Sequence, residues 1–241
     1  MTSPANGTPK SDESEGMPLL AHIRELRGRL VKAAFALVIA TLFTSFFAGD
    51  IIKFLIKPYG SELQTLGPTE NVITYFRVAI LSGAALAMPV IVYQILAFAI
   101  PGLTRSERRW IYLSVPFTMI LFMTGILFAW YIMVPAAVDF LSNFRSDLFR
   151  NEWTASEYIS FVVSLAFWIG VSFQTPLISF ILAKVGLVTA GFLARNWRFA
   201  IVIVAVISAV ITPTVDPFNM ALLMLPLLGL YGLSILLAMI A

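Results

Sequence analysis

From Val31 to Ala241 most of the chain is taken up by six apolar blocks, each nearly free of charge and separated by short polar connections. A run of about 20 apolar residues is long enough to cross the hydrocarbon of a bilayer as a helix. Helices satisfy every backbone N–H and C=O within one segment, which lipid cannot do for them. The pattern therefore predicts an all-α membrane protein with six transmembrane helices. Hydrophobic residues make up 59% of the 241 and charged residues 12%, so no stretch has the balance of a separate soluble domain. A single membrane domain over 17–241 is expected.

The first block runs from Val31 to Ala48, the second from Val72 to Ile100, the third from Trp110 to Ala137 and the fourth from Tyr158 to Ala183. Pro89, Pro116 and Pro176 lie inside the second, third and fourth, where they offer sites for kinks. Between blocks one and two, Lys57-Pro58 and Gly67-Pro68 give the Gly49 to Glu70 segment the turn chemistry of an ordered loop outside the membrane. Only 13 residues separate Arg198 from Thr212, a helix rise of about 20 Å against about 30 Å of hydrocarbon. The sixth block, Phe218 to Ala241, returns directly after Pro213 and Pro217. Helices 5 and 6 are thus predicted to form a short hairpin beneath a locally thinned bilayer. Residues 1–16, polar and without an apolar run, read as a disordered cytoplasmic tail. Leu19, Ile23, Leu26 and Leu30 then recur at helical spacing, predicting a cytoplasmic amphipathic helix in the membrane interface ahead of the first crossing.

Basic residues orient this arrangement. Lys10, Arg24, Arg27, Arg29, Lys32, Arg105, Arg108, Arg109, Lys184, Arg195 and Arg198 fall on one side; Lys53, Lys57, Arg77, Arg145 and Arg150 fall on the other. The expected topology is N-in and C-in. Of the ten acidic residues after Met17, eight lie on the outer side, and Glu25 and Glu107 alone share the basic inner one. Two carboxylates in a basic surface are the natural receivers of a cationic partner. The chemistry of an enzyme is missing: there is no Cys, one His and no Gly-rich phosphate loop, and no nucleophile-base pair can be assembled. No metal, cofactor or nucleic-acid partner is expected.

Two segments on the predicted cytoplasmic side carry a family signature: Leu19-Leu-Ala-His-Ile-Arg-Glu-Leu-Arg-Gly-Arg-Leu30 and Tyr93-Gln-Ile-Leu-Ala-Phe-Ala-Ile-Pro-Gly-Leu-Thr-Arg-Ser-Glu-Arg-Arg109. They resemble the N-terminal and first-loop motifs of the TatC family, the multispanning receptors of the twin-arginine protein translocase. The likeness extends through Phe128 to Pro135, Tyr158 to Phe161, Gly170 to Pro176, and Ile211 to Pro213 with Asp216. The resemblance implies that Glu25 and Glu107 bind the paired arginines of signal peptides on folded precursor proteins. His22, Arg27, Phe98 and Arg109 are implied to belong to that site or its surroundings. It further implies that Gln174, Thr212 and Asn219 form a polar patch docking the single helix of TatA- or TatB-type partners. Gln174 stands where most related sequences have Glu, Asn219 replaces the commoner Gln, and one extra residue lies between Pro213 and Asp216. The implied setting is a prokaryotic cytoplasmic membrane, with homo-oligomers inside a complex that exports folded proteins at the expense of the proton-motive force.

Plainer readings accompany these. Thr104-Arg-Ser-Glu107 has capping-box spacing, and Glu25 has Arg29 one turn on, a pair that contributes about 0.2–0.5 kcal/mol. Gln174 is read first as an interhelical hydrogen bond of about 1 kcal/mol. Structural roles are expected for Arg77, which can snorkel outward, and for Asp139 and Glu157. Aromatic belts account for Trp110, Trp130, Tyr131 and Trp197. An alternative function is a small secondary transporter with a midplane solute site, for which helices broken at Pro89, Pro116, Pro176 and Pro226 would be the argument. The lack of ionisable groups at depth counts against it.

Overall fold

A computed structural model of the chain describes the backbone of residues 16–59, 63–99, 105–143, 153–212 and 217–241, and the side chains of those ranges apart from 16–22, 99, 105–111 and 219. The described chain is almost entirely helical. In order it comprises α1 (Gly16–Ser45), α2 (Ala48–Ile56), α3 (Glu70–Ala99), α4 (Arg105–Phe128), α5 (Val134–Asn143), α6 (Ala155–Ser172), α7 (Thr175–Lys184), α8 (Ala190–Arg195), α9 (Trp197–Ile211) and α10 (Pro217–Ile240). Four long apolar helical segments are each of membrane-crossing length: α3, α4 continued by α5, α6 continued by α7, and α10; α1 with α2 forms a bent fifth. The all-helical membrane fold predicted from the apolar blocks is what the structure shows.

The helices differ from the sequence reading in instructive ways. The amphipathic stretch and the first apolar block form one continuous 30-residue helix, with no break between an interfacial piece and a crossing. Helix α1 ends where the Phe46 and Phe47 amides turn back to the carbonyls of Phe43 and Thr44, and the chain bends by 69° into α2. Part of the expected Gly49 to Glu70 loop is therefore helix. Helix α9 has 15 residues, about 22 Å of rise, and is short as predicted. Helix α10 has 24 residues, about 36 Å, so the last helix is not short.

The prolines inside the apolar blocks differ in whether the helix continues. Helices α3, α4 and α10 run through Pro89, Pro116 and Pro226. Only Pro176 coincides with a break: α6 stops at Ser172, Phe173 and Gln174 form a turn, and α7 starts with the proline in its first turn. There its missing N–H costs nothing. Between α4 and α5, Ala129–Met133 forms a π-helical turn, which the sequence reading did not anticipate.

Small residues set the packing. A Cβ on Gly83 would lie 2.6 Å from the Thr41 Cα, and one on Gly125 would lie 2.8 Å from the Gly170 Cα. Glycine at 83 lets α1 lie against α3, and the Gly125–Gly170 pair lets α4 meet α6, since backbones approach this closely only where side chains are absent. Two apolar clusters result. The larger, around Val78, Met133, Tyr158, Val162 and Leu223, joins α2, α3, α5, α6 and α10; the smaller, around Met88, Val92, Leu96, Phe122 and Ile181, joins α3, α4 and α7.

Candidate functional site

Contacts between α1, α3 and α4 fix which helix ends lie together. The Tyr75 hydroxyl donates to the Ser45 carbonyl, the Thr44 hydroxyl donates to the Ala79 carbonyl at 2.8 Å, and Thr41 abuts Gly83. This register is antiparallel, and continuing it carries the Glu25 turn of α1 toward the C-terminal end of α3. Phe98, half-buried, sits there. Tyr93 of α3 stacks on Tyr112 of α4 with ring centroids 5.9 Å apart, so α4 begins at the same end. The helical positions of Glu25, Phe98, Glu107 and Arg109 are thus gathered at one end of the bundle although they span more than 80 residues. The backbone of Glu107 and Arg109 lies in the first turns of α4 and that of His22 lies in α1; their side chains lie outside the described residues, as does the Thr104–Glu107 capping box.

Glu25 and Arg27 are exposed on α1. Arg29 Nε and Nη2 both donate to Glu25 Oε1, at 3.0 and 2.5 Å. The Glu25 side chain is 41% accessible, so water screens the pair and its worth stays near the ordinary helical value of about 0.2–0.5 kcal/mol. The i,i+4 pairing expected from spacing is therefore present, and among the described residues it engages one oxygen of the carboxylate. Arg24 and Arg27 stand exposed beside it, making the surround basic.

At the opposite end, Glu70 is built in. Its Oε2 accepts from the amides of Leu66 at 2.8 Å and Gly67 at 3.3 Å, and its Oε1 accepts from the amide of Ser156 at 2.9 Å. It opens α3, two residues ahead of the apolar stretch that begins at Val72. Around it the Ala155 amide donates to the Gln64 carbonyl at 2.8 Å, the Trp153 amide to the Tyr59 hydroxyl at 3.2 Å, and the buried Tyr158 hydroxyl to the Leu55 carbonyl at 3.2 Å. Trp130 stacks on Phe54 of α2 at 4.5 Å, a specific contact beyond a belt position. Thr154 caps the start of α6: its hydroxyl accepts from the Glu157 amide at 3.2 Å and donates to the Glu157 carboxylate at 3.1 Å. The Thr154-Ala-Ser-Glu157 spacing was the signal for it.

Gln174 is 1% exposed. Its Nε2 donates to the Thr118 carbonyl of α4 at 3.1 Å, which is the interhelical bond expected of it. Its Oε1 is buried and, among the described residues, takes no hydrogen bond. Thr212, at the end of α9, is also buried and donates to the Ser208 carbonyl at 2.7 Å. The Asn219 side chain lies outside the described residues. Gln174 and Thr212 therefore face the interior in this structure. Among the described residues no group of three or more His, Cys, Asp or Glu is arranged to hold a metal.

Comparison with known proteins agrees over nearly the whole chain. Residues 21–226 match the family described as Sec-independent protein translocase protein (TatC). The chloroplastic protein of that description from Arabidopsis thaliana is 38% identical over 223 residues, 91% of this chain and 65% of the plant protein. The Helicobacter pylori strain J99 protein is 36% identical over 220 residues, 91% of this chain and 88% of its own length. A crystal structure described as the twin arginine translocase receptor TatC superposes with a TM-score of 0.80 at 35% identity, covering 91% of this chain and 98% of that one.

Proposed function

This chain belongs to the TatC family of Sec-independent protein translocase proteins, a family of transport components and not of catalysts, and on that premise we propose that the basic end of its bundle receives twin-arginine signal peptides. The observation that carries the reading is the state of Glu25. It is exposed, surrounded by arginines, and held by one local, solvent-screened pair through a single oxygen. An arriving guanidinium offers the same carboxylate a planar fork that can engage both oxygens, where Arg29 holds one. Giving up the Arg29 pair costs only about 0.2–0.5 kcal/mol. Glu107 supplies the second carboxylate from the start of α4, with His22, Arg27, Phe98 and Arg109 around it. Arg24, Arg27 and Arg29 repel a cation that fails to reach the glutamates, which sharpens selection.

In this reading the α1 end faces the cytoplasm of a prokaryotic cell and the α2 end faces outward, in keeping with the distribution of Lys and Arg. The arginine pair docks first, and the apolar part of the signal then inserts along the helices. TatA- or TatB-type helices dock at the α9–α10 edge, where Thr212 closes α9 and Asn219 opens α10. Gln174 contributes a buried acceptor that a polar group of an arriving helix satisfies once α4 and α7 part. One such chain encloses no passage for a folded domain, so homo-oligomers and partners assemble the route, with the proton-motive force as the energy source.

Binding of signal peptides carrying Arg-Arg, Lys-Lys or Gln-Gln to the detergent-solubilised protein tests the proposal. Arg-Arg is expected to bind at least about tenfold more tightly than Lys-Lys, because Lys lacks the fork. Equal binding of all three would leave a merely hydrophobic contact and remove the proposal.

A further inference from the structure

Arg77 is a cation on a helix face that the glutamate site does not use. It lies seven residues into α3, about 10 Å of rise from the Glu70 end, at a depth where a charge is costly unless it finds a partner. It is exposed, and its Nη1 donates to the Ser160 hydroxyl. Among the described residues no carboxylate pairs with it.

Arg77 borders two adjoining hollows. One, of about 700 Å³, is lined by Arg77, Ser156, Glu157, Ser160, Ser164 and Trp168 among others. The second, of about 500 Å³, is lined by Arg77 and Ser164 and then by Val72, Phe76, Ile80 and Leu81. The first hollow is mixed, with Leu141, Trp153 and Phe161 also on its wall, and the second is apolar; Arg77 and Ser164 line both. On α6, Glu157, Ser160, Ser164 and Trp168 recur at three- and four-residue spacing and so share one face. Glu157 stands one turn nearer the α2 end than Ser160. The hollow therefore presents a cation beside hydroxyls, a carboxylate about 4.5 Å higher along the axis, and an apolar trough leading away from both.

We propose that this paired hollow holds one zwitterionic phospholipid from the leaflet at the α2 end, with its phosphate on Arg77 and Ser160, its headgroup ammonium on Glu157, and one acyl chain in the Phe76–Ile80 trough. The charges match in sign and order. A phosphate satisfies the guanidinium through charge-assisted bonds, and the ammonium lies above it, nearer water, where Glu157 is. A headgroup carrying only negative charge would meet the Glu157 carboxylate and bind less well. Because the bound headgroup sits about two turns below the helix end, the lipid is drawn inward next to the short α9, whose Val210 and Ile211 complete the wall of the first hollow. This site is independent of the signal-peptide reading.

Native mass spectrometry of the purified full chain tests it, with phosphatidylethanolamine, phosphatidylglycerol, diacylglycerol and inorganic phosphate as probes. The intact protein should retain one phosphatidylethanolamine and bind phosphatidylglycerol about tenfold more weakly, with no retention of diacylglycerol. Arg77→Gln should lower retention of both phospholipids about tenfold, and Ser160→Ala should do so by a smaller factor. Glu157→Gln should keep retention but abolish the preference between the two headgroups, a readout that a folding defect would not mimic. Unchanged retention in Arg77→Gln would overturn the proposal. So would displacement of the lipid by inorganic phosphate alone, or occupation of the hollow by a partner helix with no phospholipid retained.

Discussion

Glu70 and Glu25 are both glutamates near helix ends, yet the fold treats them in opposite ways. Glu70 accepts three backbone amides, one of them from a residue 86 positions away, and ties the start of α3 to the start of α6. Glu25 accepts from one side chain a single turn along its own helix. Two of the Glu70 bonds are local, but the one from Ser156 can form only in the folded chain, so it contributes to folding. The Glu25 pair would form on an isolated helix, so exchanging it for an outside cation costs the fold almost nothing. The long-range tie lies at the α2 end, and the carboxylate with an exchangeable partner lies at the basic end.

Mutations at the α2 end should therefore be felt in stability and not in signal binding. The largest effect is expected for Tyr158→Ala, which removes a fully buried ring packed against Tyr59 and Trp153 and should cost about 3 kcal/mol or more in detergent unfolding. Peptide affinity of the folded fraction should stay within about twofold, as for distant independent sites. Tyr158→Phe should cost about 1 kcal/mol by losing the bond to Leu55; a change of signal binding in either variant would break the separation of the two ends. Glu70→Gln should destabilise less than Tyr158→Ala. The smallest effect belongs to Arg29→Gln, expected to change stability by at most about 0.5 kcal/mol and to leave Arg-Arg peptide binding equal or tighter.

Helices were legible because apolar runs and their length are local properties of the chain. The short α9, the Glu25–Arg29 pair and the interhelical bond of Gln174 were read from spacing and from the demand that a buried amide find a partner. The Glu70 clip was not, since its partners are backbone amides that no side-chain pattern announces. Helix α2 was missed although Ile52, Leu55 and Ile56 recur at helical spacing, because Pro58 and Gly67 drew the whole segment into a loop. Pro89, Pro116 and Pro226 lie inside helices that continue through them, so proline alone did not mark where a helix stops. At the basic end, sequence placed the helical positions together and resemblance supplied their roles; neither Arg29's hold on a single carboxylate oxygen nor the exposure of Glu25 could have been read in advance.

The central claim is that Glu25 and Glu107 are the direct partners of the arginine pair. A double-mutant cycle tests it most directly: affinities of Arg-Arg and Gln-Gln signal peptides for the parent chain and for Glu25→Gln combined with Glu107→Gln. Direct pairing predicts a coupling energy of about 1.5 kcal/mol or more. Additive losses, within about 0.5 kcal/mol, would contradict the account.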